Sequence, residues 1–179
     1  MRELLEILEA MVSKKAQVED SLELFLDIAE RIAKSASAVF EVKSDEVAIL
    51  MLTSDLRHLR FAAPRSFVEL GTIPLTKRDS IAVGVLGKGV GNVQNNVPVV
   101  KHVAFFESVR IRSRPVPIQK MITVPLLYRN GVAGVAQISR KGETSEDAGP
   151  DSSAGDVKKA EGFFQEASPY LWRARPDSF

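Results

Sequence analysis

The sequence of 179 residues contains no cysteine. Disulfides, thiolate metal ligands, thiol nucleophiles and thioether-linked pigments all require cysteine, so these four kinds of site are excluded. A chain of this size without cysteine fits a reducing compartment. We therefore expect a cytoplasmic protein.

The sequence also lacks an excess of one charge and has no long apolar run. The 24 basic residues nearly balance the 23 acidic residues, and the formal net charge of +1 gives no global attraction to nucleic acid. The first residues, MRELLEILEAMVSKK, interrupt their apolar pattern with acidic residues and do not form a signal peptide. No apolar run approaches the length of about 20 residues that crosses a bilayer, so we expect no membrane partner.

Two helices are predicted at the start of the chain. Residues 1–16 have apolar positions at helical spacing and form a candidate dimerisation extension. A second apolar stripe has alternating steps of four and three residues and comprises Val18, Leu22, Phe25, Ala29, Ile32, Ala36 and Val39. This helix either packs on its own sheet, which is the default interpretation, or is shared with a second subunit.

The middle of the chain predicts strands. The stretch EVAILMLT is apolar on both alternating faces, which predicts a strand covered on both sides. The stretch ITVPLLYRNGVAGVAQISR reads as a hairpin, because Asn130-Gly131 is a strong two-residue turn signal. Pro125 requires a bulge or an unpaired side in this hairpin, and Gly134 indicates a close approach to the backbone.

A closing helix follows a polar loop. Ser153 and Asp156 have the spacing of a capping box. Apolar residues then recur at steps of three and four, among them Val157 and Phe164, which we count with the candidate dimer residues. The order of elements predicts an α+β domain over residues 17–172 with an antiparallel sheet, followed by a mobile tail at 173–179.

Two segments resemble the GAF domain family. They are DSIAVGVLGKGVGNVQNNV at residues 79–97 and ITVPLLYRNGVAGVAQISRK at 122–141, and the resemblance extends over residues 18–168. It implies a central antiparallel sheet of about five to six strands with the amino- and carboxyl-terminal helices on one face. On the other face, a variable segment of loop and short helix would cover a small-molecule pocket.

Several activities of that family do not match these residues. The structural lock of cyclic-nucleotide-binding members falls on Ser139, Arg140, Ser152, Asp156 and Val157, where only Asp156 is kept. Arg140 replaces the lysine of the lock, and we expect an ion pair between Arg140 and Asp156. Bilin-binding members and the free methionine sulfoxide reductases of this family use cysteine, which is absent.

Metal and haem sites lack sufficient ligands. His102 is a lone histidine in a basic segment, and His58 lies on a different element. We therefore expect no metal and no cofactor. No nucleophile–base pair or pair of catalytic acids forms a motif, so we expect a protein that is not an enzyme.

The segment VKHVAFFESVRIRSRPVPIQK, residues 100–120, corresponds to the variable cover. The segment has one acidic residue, Glu107. Its basic residues are Lys101, Arg110, Arg112, Arg114 and Lys120. The segment is a nucleic-acid patch, a lid over a small molecule or a solvated face, and the lid interpretation fits best because the phenylalanines can face inward. The candidate ligand-binding residues are Phe105, Phe106, Arg110, His102, Ser80, Asn92 and Asn95. Ser80 has the alternative role of a helix cap, and Asn95 that of a turn residue.

The sequence therefore favours a non-catalytic GAF-like regulatory module in signal transduction. It would bind a small anionic or aromatic ligand under residues 100–120, form a homodimer through its helices and signal through an unidentified partner. The first alternative is a ligand-free interaction or dimerisation domain. The second is a polyanion binder that uses the basic residues of 101–120, although nucleic acid is not the expected partner.

Overall fold

The computed structural model describes residues 1–15, 20–97, 116–129 and 131–179. The helices of these residues are α1 (Arg2–Ser13), α2 (Ser21–Phe40), α3 (Ile81–Lys88) and α4 (Ala154–Ala174). The strands are β1 (Val47–Leu52), β2 (His58–Ala63), β3 (Thr72–Pro74), β4 (Asn92–Gln94), β5 (Ile118–Tyr128) and β6 (Gly131–Lys141). Two short 3-10 helices span Ser44–Glu46 and Arg65–Leu70.

The strands form one sheet in the order β3-β2-β1-β6-β5-β4. Every pair of neighbours is antiparallel. The predicted α+β architecture with an antiparallel sheet of about five to six strands is therefore confirmed.

The terminal helices cover one face of the sheet, called the back face here. Ile49 and Val124 project from it into a core that also contains residues of α1, α2 and α4. Burial of each large apolar side chain in such a core stabilises the fold by about 1.5–3 kcal/mol. The core thus ties both ends of the chain to the centre of the sheet.

Most of the α2 stripe belongs to this core, whereas Val39 at its end is exposed. Phe25, Ala29 and Ile32 are fully buried within the chain, as is Phe164 of α4. A second subunit cannot contact these four side chains while the core is intact, so the own-sheet interpretation of the stripe is the one observed. Leu22 and Val157 are half-buried at the margin of the core, and Val18 lies outside the described residues.

Both ends of the described chain pack more closely than the sequence analysis expected. Leu8 of α1 is fully buried in the back-face core, so residues 1–15 are part of the domain body. The tail expected to be mobile at 173–179 continues α4 to Ala174 and then folds back. Phe179 is buried with its ring edge-on to Phe25 at 4.8 Å, and its carbonyl accepts a hydrogen bond from the Ser54 backbone. The apolar ring explains the difference, because its burial offsets the entropy of ordering a short tail.

The opposite face of the sheet, the front face, carries a second apolar cluster. Leu50, Phe61 and Val135 pack there with Ala82 and Val85 of α3. β1 is therefore apolar and covered on both faces, as EVAILMLT predicts. The candidate cover residues Phe105, Phe106, Arg110 and His102 lie outside the described residues, and so does Asn130. Their roles stay predictions.

Gly134 lies where β6 crosses β1. A Cβ atom at this position would lie 3.0 Å from the Met51 Cα and closer still to the Leu50 carbonyl oxygen, so the close approach inferred from the sequence is present. β4 pairs with β5 only as far as Thr123, which leaves Pro125 with an unpaired side, one of the two arrangements expected for it.

We expect Gly134→Ala to lower the free energy of unfolding by about 1–3 kcal/mol, because the added methyl group forces β6 away from β1. Gly162→Ala is the matched control. Nothing lies within 4 Å of a Cβ at that helical position, and the change should stabilise α4 by about 0.5–1 kcal/mol. Urea unfolding followed by circular dichroism measures both effects. Equal stability of the two variants would contradict the packing described here.

Candidate functional site

A row of three polar side chains crosses the front face. Asn92 of β4 is opposite Thr123 of β5, and Thr123 is opposite Gln137 of β6. Directly opposite residues of antiparallel strands share a face, so the three side chains are neighbours. Gln137 is also opposite Ala48, a member of the front apolar cluster, which assigns the row to the front face. We call Asn92, Thr123 and Gln137 the front polar row.

The front polar row has acceptors that are not used. The Nε2 of Gln137 donates to the Thr123 Oγ1 and to the Met121 Sδ, both at 3.2 Å. Gln137 Oε1 and Asn92 Oδ1 are buried, yet neither accepts a hydrogen bond from a described residue. A buried polar atom without a partner costs about 1–3 kcal/mol, and such atoms are rare in folded proteins. The row can therefore accept hydrogen bonds from the N–H or O–H groups of a bound molecule.

The other described candidates for ligand contacts already have partners. Ser80 Oγ accepts the Val83 backbone N–H at the start of α3, which is the capping role considered above. Asn95 donates through Nδ2 to the Ser152 carbonyl at 2.9 Å and accepts the Ser152 N–H through Oδ1 at 3.0 Å. Ser80 and Asn95 therefore stabilise local structure, and Asn92 is the candidate with a free buried acceptor.

Arg140 and Asp156 have different hydrogen-bond partners instead of the expected direct ion pair. Arg140 donates to the Phe40 carbonyl at 3.2 Å, at the end of α2. Asp156 accepts the Ser153 backbone N–H and hydroxyl and completes a capping box. These bonds from Ser153 lower the pKa of Asp156, and the positive charges of Lys159 and Arg140 lower it further. Arg140 thus acts on Asp156 through electrostatic attraction.

Metal binding has no support in the described part of the chain. There, no group of three or more histidine, aspartate or glutamate side chains has an arrangement that would hold an ion. His58, the first residue of β2, lies 3.6 Å from Asp55 in the turn that precedes the strand. None of the described helices is long and apolar enough to cross a membrane.

Comparison with solved structures identifies the fold. The GAF domain of a phosphoenolpyruvate-protein phosphotransferase from Acinetobacter superposes with a TM-score of 0.60 at 15% identity, covering 97% of this chain and 95% of that one. The fold is that of a GAF domain. No family model and no curated protein matches the chain by sequence.

Two further structures show how widely this GAF fold is used. Residues 122 to 287 of a methyl-accepting chemotaxis protein have a TM-score of 0.59 at 16% identity, covering 92% of this chain and 96% of that chain. A free methionine-R-sulfoxide reductase from Neisseria meningitidis, solved with its substrate, has a TM-score of 0.55 at 16% identity, with coverages of 97% and 89%. The GAF fold therefore occurs in both signalling proteins and an enzyme.

The sequence analysis did not identify Thr123 and Gln137 as site residues. Both are polar residues within apolar strands, and Thr123 is fully buried. The sequence signal that could have identified them is a polar residue within a strand that is covered on both faces. The positions of Asn92 and Gln137 opposite Thr123 depend on a strand order that the sequence alone does not reveal.

We expect Gln137→Leu to change the free energy of unfolding by less than about 1 kcal/mol, since removal of the unsatisfied buried oxygen offsets the loss of the hydrogen bond to the buried Thr123 Oγ1. Gln119→Leu is the control, because the buried Gln119 donates to the Gly142 carbonyl at 2.8 Å. That change should cost about 1–3 kcal/mol by leaving the carbonyl without its donor. Urea unfolding compares the two variants, and a larger loss for Gln137→Leu would contradict the assignment.

Proposed function

We propose that this protein is a non-catalytic sensory module that binds a small molecule on the front face of its sheet. The observation that carries the proposal is the pair of buried acceptors, Gln137 Oε1 and Asn92 Oδ1, which have no donor among the described residues. A site of this kind lowers the stability of the empty protein and gains hydrogen bonds when a ligand arrives.

The free acceptors of the front polar row determine which chemical group of the ligand can bind there. Carbonyl oxygens accept hydrogen bonds and repel anions, so the group that meets Asn92 and Gln137 would be an amide, an amine or a hydroxyl. The anionic or aromatic part expected from the sequence would then face residues 100–120, where Arg110 and the phenylalanines are the candidate contacts. The proposed ligand is thus a small molecule with a donor group at one end and an anionic or aromatic group at the other.

The solved structures with this fold support a regulatory role. They include GAF domains of phosphotransferases and part of a chemotaxis protein. The reductases among them do not carry their activity over to this chain, because cysteine is absent here and that chemistry is expected to use it. We also propose that the protein is located in the cytoplasm and signals through a partner protein.

A thermal-shift screen tests ligand binding. Amides, amines, amino acids and nucleobases supply the donor group, and simple carboxylates without such a donor serve as negative compounds. Saturation at about 100 times the dissociation constant adds about 2.7 kcal/mol, which raises the melting temperature by about 5–10 °C. Gln137→Leu should lose the shift, whereas Gln119→Leu should keep it from a lower starting temperature.

Two results would contradict the ligand-binding proposal. One is a screen in which no compound with a donor group shifts the melting temperature. The other is an unchanged shift in Gln137→Leu, which would place the ligand away from the front polar row. The polyanion alternative rests on residues 101–120, of which 101–115 lie outside the described part of the chain, and no described contact favours it.

We also propose that the protein forms a homodimer. The alternative function, a ligand-free interaction or dimerisation domain, requires such a contact as well. The observation in its favour is a shallow groove between the outer sides of α1 and α4, lined by apolar Met1, Leu5 and Tyr170. Arg2, Glu6, Glu9 and Glu166 border the groove, so in two copies related by twofold symmetry the Arg2 of each can meet a carboxylate of the other. This surface differs from the α2 stripe, for which a second subunit was one of two interpretations of the sequence.

Leu5→Glu should shift a dimer to monomers, because the new carboxylates would lie within an apolar contact. Leu56→Glu is the matched control, since Leu56 is exposed in the turn between β1 and β2 and lies outside the groove. Multi-angle light scattering at micromolar protein gives the molar mass of each variant. A wild-type protein that is strictly monomeric, or an equal response of the two variants, would contradict the proposed interface.

A further inference from the structure

The single tryptophan lies in an unusual surface cluster at the end of α4. The half-buried rings of Trp172 and Tyr128 are stacked with centroids 5.2 Å apart and planes inclined by 23°. A guanidinium lies over each ring at 5.3 Å, from Arg175 on Trp172 and from Arg129 on Tyr128. We call Trp172, Tyr128, Arg175 and Arg129 the Trp172 surface.

The two arginines of this surface have few polar partners. Within the described residues, the contact of Arg129 is the Tyr128 ring, and no carboxylate pairs with it. Arg175 makes one long hydrogen bond of 3.5 Å to the Ser54 Oγ, and its buried Nε has no acceptor. Burial lowers the pKa of Arg175, and the negative charge of Asp177 opposes this effect only in part. These cations retain donors for an external acceptor.

Two other arginines on the described surface are paired with carboxylates. Arg173 binds both carboxylate oxygens of Glu9 at 2.7 and 2.8 Å. Arg65 binds Glu23 and Asp27 together. Arginines held by two carboxylate oxygens are the typical strong arrangement for this side chain. Arg129 and Arg175 lack it, although they lie beside the largest aromatic pair of this surface.

A hydrogen bond joins the helix and the hairpin under the two arginines. The Ser168 hydroxyl of α4 donates to the carbonyl of Leu127 in β5, which joins the helix to the hairpin. Arg129 has a left-handed backbone conformation with a φ of 52° at the hairpin turn. A surface already held in shape loses little entropy on binding. Tryptophan, tyrosine and arginine are also the residues that contribute most to protein–protein interfaces.

We propose that the Trp172 surface binds an acidic segment of a partner protein. Carboxylates would take the open donors of Arg129 and Arg175, and apolar side chains of the same segment would pack against the edges of the Trp172 and Tyr128 rings. Nucleic acid fits less well, because each ring of the stack already carries the other ring and a guanidinium, which leaves little ring surface for a base. The net charge of +1 also gives no field that would attract a polyanion.

Trp172 is a natural reporter for the test, since no other tryptophan contributes fluorescence. The full chain would be titrated with a short peptide of alternating glutamate and leucine, at low and at physiological salt. We expect a saturable change in Trp172 emission that weakens with salt. The same peptide with lysine in place of glutamate, and single-stranded oligothymidylate of equal length, are the comparison probes.

Arg129→Gln should weaken peptide binding at least about fivefold, which corresponds to about 1 kcal/mol. Arg31→Gln is the matched control, because Arg31 is an exposed arginine on α2 beside Met11 of α1, away from this surface, and it should bind as the unchanged protein does. Far-UV circular dichroism verifies that both variants are folded. The proposal is overturned by an absence of saturable emission change, by equal binding of Arg129→Gln, or by tighter binding of oligothymidylate or of the lysine peptide.

Discussion

The antiparallel register of β5, β6 and β1 decides which side chains reach each face of the sheet. Side chains alternate between faces, so a slip of one residue would turn Gln137 and Thr123 into the back-face core and expose Ile138 on the front. Gly134 holds this register, because the backbone of β1 passes too close for any side chain there. The apolar cores on both faces then act as a second restraint, since each matches only one alignment of the strands.

With that register set, the front polar row interrupts the apolar clusters of the front face. Gln119 and Gln137 illustrate the contrast, because both are buried amides on neighbouring strands. Gln119 is satisfied by backbone carbonyls and stabilises the strand ends, whereas Gln137 leaves its oxygen without a donor. An unsatisfied polar group in a covered sheet lowers the stability of the protein. Binding of a ligand to that group is a physical reason for this cost.

Much of the fold could be predicted from local patterns. The apolar strand β1, the capping box at Ser153 and the close approach at Gly134 all follow from side-chain chemistry within a few residues. The α2 stripe indicated a buried face but did not distinguish the chain's own sheet from a second subunit, because both bury the same residues. The packing of Phe179 and the grouping of the front polar row depend on contacts between distant parts of the chain. Composition and spacing carry no signal for such contacts.

A high-resolution crystal structure of the protein with the donor compound that stabilises it most tests the central claim directly. The account predicts electron density for that compound on the front face, with an N–H or O–H group about 2.7–3.2 Å from Gln137 Oε1. Density elsewhere on the molecule, or a donor from the protein's own chain bonded to both Gln137 Oε1 and Asn92 Oδ1, would contradict it.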